Sequence, residues 1–215
     1  MIKETIKKIE NTLSKYNNPV VAFSGGKDGF VVAHMCNIII PNIKMICELS
    51  FYFDKQKNNI YDTARKYSFN VEYKSSLSDD WLNNNKHIIF SENSKHRAWS
   101  FAMRQQATVK KYVKSVNGDI SIYGRRKDEN CVPNELYCTK NGWQYHPICD
   151  WKETDVWNYF KYINEPIPYI YTTRFGYNMG NAPFYSLKRK NMNIKECWNI
   201  INEVDGNTFF YDKFK

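Results

Sequence analysis

The sequence predicts an α/β fold, a single domain layered around a parallel sheet and closed by an aromatic, helical C-terminal extension. Three observations carry that expectation. Short apolar runs alternate with amphipathic stretches, a Gly-rich turn joins the first apolar run to the next helical pattern, and after Pro133 the chain becomes dense in Trp, Tyr and Pro. Strands that alternate with helices pair in parallel through right-handed crossovers, with helices covering the sheet.

Ile2–Tyr16 sets Ile2, Ile6, Ile9 and Leu13 on one helical stripe with Lys and Glu opposite. Asn17-Asn18-Pro19 stops that helix. Val20–Phe23 is a short, wholly apolar run and reads as a buried strand. A helix over Gly29–Ile39, a strand over Ile43–Leu49, a helix over Gln56–Tyr67 and a strand over Phe69–Tyr73 follow. Ile88–Phe90 is too short for its pattern to decide between strand and loop. Lys95–Val116 is a long helical stretch with Trp99, Met103, Ala107 and Val113 available for a core face, and Ile120–Tyr123 is a further buried strand. Beyond Pro133 we expect a short strand within Trp143–Ile148, a helix over Glu153–Ile163, an extended aromatic segment over Pro166–Tyr177 and a helix over Asn193–Val204. Residues 1–180 form the expected domain and 181–215 its extension.

A chain of 215 residues is long enough for a real core. Its 42% hydrophobic and 16% aromatic content excludes disorder as the general state. The longest apolar run, Phe30–Ile40, is broken by His34 and Asn37 and falls short of the ~20 residues of a membrane span, so no membrane partner is expected. The N-terminus lacks the pattern of a signal peptide, so a cytoplasmic address is expected. The net charge of +9 favours an anionic partner without choosing among nucleotide, nucleic acid and acidic lipid. Only 7 of the 31 basic residues are Arg, and AT-rich codon usage yields the same Lys-, Asn-, Ile- and Tyr-rich composition. Six Cys, at 36, 47, 131, 138, 149 and 197, contain no C-x-x-C pair, so reduced thiols and no Cys-built metal site are expected.

In open parallel sheets ligands bind at the carboxyl ends of the strands. That rule singles out Ser24–Gly29, Glu48–Asp54 and Gly124–Asn130, three distant segments expected to meet in one crevice. The first carries the strongest signal. Gly25 and Gly26 let the backbone turn sharply and approach a ligand closely. The N–H groups of that turn and of the helix start face an anion. Ser24 adds a hydroxyl, Lys27 a mobile positive charge, and Asp28 a carboxylate suited to Mg²⁺. The loop is not a Walker A motif, which needs a further Gly five residues earlier.

The other polar segments leave two readings each. Arg125-Arg126-Lys127 is either a solvated charge run or, placed at a strand's carboxyl end, a phosphate or sulfate contact. Asp150 either caps the helix near Glu153 or joins the site. His146 either touches substrate or makes a structural hydrogen bond. Trp151, Trp157, Tyr159 and Tyr169 read as packing residues.

Ser24-Gly25-Gly26-Lys27-Asp28 after a hydrophobic strand resembles the PP-loop of the ATP pyrophosphatases, with Gly29 where that pattern has Ser. Gly124-Arg125-Arg126-Lys127-Asp128-Glu129-Asn130 resembles the G-x-R-x-x-E-S segment of the phosphoadenosine phosphosulfate (PAPS) reductase family. Arg126 stands at the motif Arg, Asp128-Glu129 supplies the acidic pair, and Asn130 replaces Ser. His146-Pro147-Ile148-Cys149-Asp150-Trp151, Asp155-Val156-Trp157 with Tyr159, and then Pro166–Tyr169, Tyr171 and Gly176-Tyr177 are similar to later segments of that family, in the same order.

The resemblance implies a PP-loop fold of the adenine nucleotide alpha hydrolase-like superfamily, binding ATP or PAPS. It implies chemistry at the α-phosphate, with adenylyl transfer and release of pyrophosphate. Lys27, Asp28 and Arg126 become the implied catalytic residues, with Mg²⁺ on Asp28. Ser24, Gly25, Gly26, Gly29, Glu48, Gly124, Arg125, Glu129 and His146 become the implied nucleotide contacts, Glu48 for ribose or metal. The family's thiol chemistry is not matched. Glu196-Cys197 lacks the Gly and His that follow the family's nucleophile, Gly180-Asn181-Ala182-Pro183 lacks Cys, and Ser100 stands where some relatives have Cys. No iron–sulfur cluster and no usual thiol-dependent reduction are therefore expected.

Three functions stay open at this level. One is an adenine-nucleotide enzyme, including nucleotidyl transfer to FMN or sulfate. Another is a non-catalytic or partner-dependent nucleotide-binding module, acting with a protein partner or as a homodimer. The third is nucleotide or sulfur transfer to nucleic acid, which only the diffuse positive charge supports.

Overall fold

The computed structural model describes residues 1–49, 54–76, 84, 106–129, 134–140, 142–168 and 171. The expectations for Ile88–Phe90, for Lys95–Val116 before residue 106, for Asn193–Val204 and for the 181–215 extension lie outside these residues, as do Cys131, Cys197, Tyr169 and the Gly176-Tyr177 pair.

Helix α1 (Ile2–Leu13) buries Thr5, Ile9 and Leu13, spaced four apart on one face. It ends one turn earlier than its apolar pattern suggests. Lys15 and Tyr16 donate to the carbonyls of Thr12 and Leu13, three residues back, and this tighter turn leads into Asn17-Asn18-Pro19. The chain then alternates through β1 (Pro19–Ala22), α2 (Lys27–Ile39), β2 (Lys44–Glu48), α3 (Asp54–Lys66) and β3 (Asn70–Lys74). After it come α4 (Ala107–Ser115), β4 (Ile120–Tyr123), a 3-10 turn at Lys127–Glu129, β5 (Leu136–Thr139), β6 (Gly142–Tyr145) and α5 (Glu153–Tyr162).

The sheet runs β3-β2-β1-β4-β6-β5. All neighbours pair in parallel except β5 with β6. The expectation of a parallel sheet is thus corrected at one edge, by a strand that the sequence pattern did not reveal. Leu136–Thr139 alternates exposed and half-buried positions and offers only a three-residue apolar run with no fully buried position, so it lacked the signal of a core strand.

Alternation along the central strands divides the core. Val21, Met45 and Cys47 face the larger cluster with α1, α2, α3 and α5, while Val20 and Ile46 face Val109 of α4. Helices therefore cover both faces of the sheet. Helix α2 is buried almost all round at its start, and Phe30 meets Phe160, Tyr67 and Phe69 at ring-centroid distances of 4.9, 5.2 and 6.3 Å. Among the described residues no helix is long and apolar enough to cross a membrane.

The strand order places a topological switch beside β1. The chain winds from β1 to β2 to β3 in one direction and resumes with β4 on the other side of β1. Loops leaving β1 and β4 diverge there and open a crevice. Asp119 fixes the starts of these two strands, accepting from the backbone N–H of Asn17 at 2.6 Å and of Asn18 at 3.1 Å.

Candidate phosphate site

The loop after β1 turns at Gly25, whose φ of +67° is the left-handed region that favours glycine. A Cβ there would also lie 2.3 Å from Cγ1 of Ile60 on α3. Gly26, in extended conformation, caps α2, and its carbonyl accepts the first helical bond from Phe30 at 2.8 Å. The helix begins at Lys27, two residues before the expected Gly29. Ser24 Oγ accepts from the Gly26 N–H at 3.4 Å. A Cβ on Gly29 would stand 2.7 Å from Ser24 Oγ, so the Ser24 hydroxyl already fills the space a side chain at position 29 would enter.

The loops after β1 and β4 meet through side chains. Asp28 Oδ2 accepts from Lys27 Nζ at 2.8 Å, and Asp28 Oδ1 accepts from Arg126 Nη1. The Arg126 Nε donates to Asp128 Oδ1 at 2.9 Å. Lys27, Asp28 and Arg126 are all buried, Arg126 with 3% exposure. Gly124 makes this meeting possible. A Cβ at that position would lie 2.4 Å from the Asp28 carbonyl oxygen and 2.7 Å from the Gly29 nitrogen, so only glycine lets the β4 loop lie on the first turn of α2.

Two residues that the sequence patterns did not place in the site also reach it. Tyr171 accepts a 3.3 Å hydrogen bond from the Lys27 backbone N–H at its hydroxyl, and Lys27 Nζ lies 5.3 Å from the centre of its ring. Glu153, in the first turn of α5, has Oε1 4.0 Å from Lys27 Nζ. Tyr171 was singled out only as part of an aromatic stretch similar to the family's, 144 residues from Lys27 along the chain, and Glu153 read only as the start of a helix.

The other expected site residues fall elsewhere. Lys127 is spent on Asp150, at 2.5 Å, and both are exposed, so Lys127 does not face the crevice as part of a basic run. The same contact corrects the capping expectation for Asp150. The start of α5 is closed by Asp155, whose Oδ2 accepts from the Lys152 N–H at 2.8 Å. Asp150 is held below the usual carboxylate range by the hydrogen bond from Lys127. Arg125 lies against the Tyr123 ring, 5.2 Å from its centre. Glu48, at the end of β2, accepts from Ser76 at its N–H (3.3 Å) and its Oγ (2.8 Å), which ties it to the chain after β3. The Glu129 side chain lies outside the described part of the molecule.

His146 follows β6 at the same end of the sheet and is fully buried between the rings of Tyr123 and Tyr137, each 5.5 Å away. Its Nε2 is 3.3 Å from the Tyr137 hydroxyl, and its Nδ1 has no hydrogen-bond partner among the described residues. Burial, with a smaller contribution from Arg125, pushes its pKa down to about 4, so the ring is neutral at pH 7. The unfolded chain therefore binds a proton between pH 6.5 and 4 that the folded chain refuses. The stability that neutral His146 contributes, up to about 3 kcal/mol, is complete above pH 6.5 and is lost as the pH falls to 4. Urea unfolding across that window checks this, and His146→Gln should flatten the slope. A part remains, because burial also lowers the pKa of His34.

The described cysteines, Cys36, Cys47, Cys138 and Cys149, are free thiols. Glu135, Cys149 and Asp150 bring their ligand atoms within 4.8 Å of one another. Two lysines already serve the carboxylates, Lys8 at 3.6 Å from Glu135 and Lys127 at 2.5 Å from Asp150. Burial raises the Cys149 thiol to about 11 and favours its protonated form. The crevice carboxylates are engaged in the same way, Asp28 by Lys27 and Arg126 and Glu153 by Lys27 at 4.0 Å, so a hard cation would have to displace those contacts to use Asp28 as one of the one or two carboxylates that Mg²⁺ takes.

A family model described as the phosphoadenosine phosphosulfate reductase domain matches residues 18–183. Among curated proteins the chain is similar to the uncharacterized protein MJ0973 of Methanocaldococcus jannaschii, 28% identical over 153 residues. That match takes in 68% of this chain but only 36% of the relative, so the chain spans about a third of the length of the protein it matches. Two solved structures share the fold. The phosphoadenylyl-sulfate reductase of Candida auris, a phosphate complex, aligns with a TM-score of 0.60 at 13% identity, over 78% of this chain and 87% of that one. The NH3-dependent NAD synthetase of Campylobacter jejuni, in complex with nitrate, aligns at 0.56 and 15% identity, over 95% of this chain and 82% of that one.

Proposed function

This chain belongs to the phosphoadenosine phosphosulfate reductase domain family, and from that premise we propose that it binds an adenine nucleotide, ATP or PAPS, and acts at the α-phosphate by adenylyl transfer with release of pyrophosphate. The observation that carries the reading is the convergence of Lys27 and Arg126 on one buried point at the switch between β1 and β4, beside the glycine turn and the start of α2. Both fold neighbours are anion complexes, one with phosphate and one with nitrate.

In this reading the glycine turn and the amides that follow Lys27 at the start of α2 hold phosphate oxygens, the Lys27 amide itself being given to the Tyr171 hydroxyl. Lys27 and Arg126 balance the charge that builds between the α-phosphate and the departing pyrophosphate. Both are buried and held by Asp28, so they enter the reaction already oriented. The Tyr171 hydroxyl orders the Lys27 amide and closes the loop against water. Asp28, with Glu153 beside Lys27, would hold Mg²⁺, which would supply charge neutralisation to the bound phosphates. Arg125, laid on the Tyr123 ring at the end of β4, is the residue nearest this crevice left to meet the nucleoside or the acceptor, while the fully buried His146 supports that ring from behind. The work is done in the cytoplasm without an iron–sulfur cluster. The acceptor is a small molecule such as FMN or sulfate, and nucleic acid is the weaker candidate.

The test is pyrophosphate release from ATP and Mg²⁺ by the full chain. Release that falls by about 10²-fold or more in Lys27→Ala supports the reading; unchanged release in that variant contradicts it. Gly29, which stands where the PP-loop pattern carries a hydroxyl, favours a second reading, a nucleotide-binding module that needs a partner. That reading expects ATP to bind without turnover until the partner is supplied, and turnover by the isolated chain removes it.

A further inference from the structure

We propose that the outer edge of β5 is an interaction surface for a second copy of this chain, whose own β5 pairs with it antiparallel about a two-fold axis at Tyr137. The inference concerns the edge of the sheet, not the crevice, and stands apart from the nucleotide-binding reading.

Among the described residues β5 has a strand beside it on one side only, β6. That pairing decides which backbone groups of β5 are left over. The His146 N–H donates to the Glu135 carbonyl at 2.7 Å, so Glu135, Tyr137 and Thr139 turn towards β6. In an antiparallel ladder the residues between them turn the other way. The N–H and C=O groups of Leu136 and Cys138, which stand opposite Tyr145 and Trp143, therefore point out of the sheet. Side chains follow the same pattern. Leu136 and Cys138 share a face with Tyr145 and Trp143, and Tyr145 belongs to the main core. The apolar face thus runs past the core to the edge, where Leu136 is 39% and Trp143 41% exposed and Cys138 is an exposed thiol. Edge strands that stay single are blunted by charges, prolines or bulges. Strand β3 at the other edge obeys this rule, with Glu72 and Lys74 at exposed positions and paired with each other. Strand β5 reads Leu-Tyr-Cys-Thr, with neither a charge nor a proline.

Charge complementarity selects the occupant. Glu135 and Lys140 bracket β5 with opposite signs. A second copy laid antiparallel brings the Glu135 end of each strand beside the Lys140 end of the other, whereas a parallel copy sets like charges together. The strand is therefore complementary to itself, as a two-fold interface requires. An axis normal to the sheet, passing between the two Tyr137 residues, sets Leu136 of each copy opposite Cys138 of the other. Every outward N–H and C=O of these residues then finds a partner, in the manner of strand addition to a sheet edge. On the apolar face Leu136, Cys138 and Trp143 of both copies come together and leave water. One sheet continues across the two chains, and neither crevice is covered, because β6 and β4 separate β5 from the switch beside β1.

The experiment is sedimentation equilibrium of the full chain over a wide concentration range, combined with crosslinking at Cys138. The native chain is expected to form a dimer. In this register the two Cys138 residues are diagonal neighbours about 7–8 Å apart, so a bis-maleimide of that span should join them into a covalent dimer. Cys138→Ser should abolish that product, while Cys36, Cys47 and Cys149 are buried and do not compete. Leu136→Lys sets a charge into the apolar contact and should weaken the dimer about tenfold or more. Cys138→Pro removes an outward donor and leaves the bonds to β6 in place, so it should weaken the dimer as well. Either variant decides the matter if circular dichroism shows it folded. A native chain that stays monomeric at every concentration overturns the proposal. Cys138 open to maleimide in that monomer would assign the edge to a different protein, and Cys138 closed to it would assign the edge to another segment of this chain. A dimer that is not crosslinked through Cys138, or that keeps its full strength in the folded variants, lies on another face and overturns the proposal equally.

Discussion

Arg126→Ala is expected to lower stability by about 3 kcal/mol and to weaken ATP binding about 100-fold. The stability loss follows from burial. Arg126 has 3% exposure and joins the carboxylates of Asp28 and Asp128, so its removal strips the buried Asp28 of one of two partners. Breaking a buried ion pair by deleting one side costs roughly 3–5 kcal/mol, and the value here sits at the lower end because Lys27 still holds Asp28 at 2.8 Å. The binding loss follows from the removal of a charge-assisted donor, worth roughly 1.5–3 kcal/mol. Arg126→Lys separates the two effects. It keeps the charge but cannot reach Asp28 and Asp128 together, so binding should fall less than in the alanine variant while part of the stability loss remains. Urea unfolding and calorimetric titration with ATP measure both.

Gly124→Ala, a change of one methyl group, should cost about 2–3 kcal/mol and lower the melting temperature by about 5–10 °C. The added Cβ would lie 2.4 and 2.5 Å from the carbonyl oxygen and carbon of Asp28. These are backbone atoms in the first turn of a helix buried on nearly every side, so they cannot step aside as a flexible side chain would. The strain falls on the loop that carries Arg126, two residues on, and ATP binding should weaken with stability. A melting temperature within about 2 °C of the native value, with ATP binding intact, would show that the β4 loop does not need this close approach.

The fold and one half of the site were legible in the sequence because their signals are local. Val20–Phe23, Ile43–Leu49 and Ile120–Tyr123 are short apolar runs, and each contains a strand of the parallel sheet. The Ser24–Gly29 turn announced itself by two adjacent glycines between a strand and a helix, and the position of Arg126 by its place after the last such strand. What escaped is what tertiary structure decides. That Asp28 pairs with Arg126, 98 residues away, depends on β4 lying beside β1 and on the absence of a side chain at Gly124. Tyr171 looked like one aromatic among many until the fold laid its hydroxyl on the Lys27 amide. Lys127 looked equivalent to its neighbour Arg126, yet the 3-10 turn sends one outward to Asp150 and the other inward to Asp28. Strand β5 was missed because its apolar run is only three residues long and, at a sheet edge, its alternate residues are exposed.

The central claim is that an adenine nucleotide binds with its phosphates on Lys27 and Arg126, and calorimetric titration of the full chain with ATP in Mg²⁺ tests it most directly. The predicted result is one saturable site per chain, displaced by pyrophosphate and weakened about tenfold or more in folded Lys27→Ala. Failure of the folded chain to bind ATP, or binding of equal strength in Lys27→Ala, would contradict it.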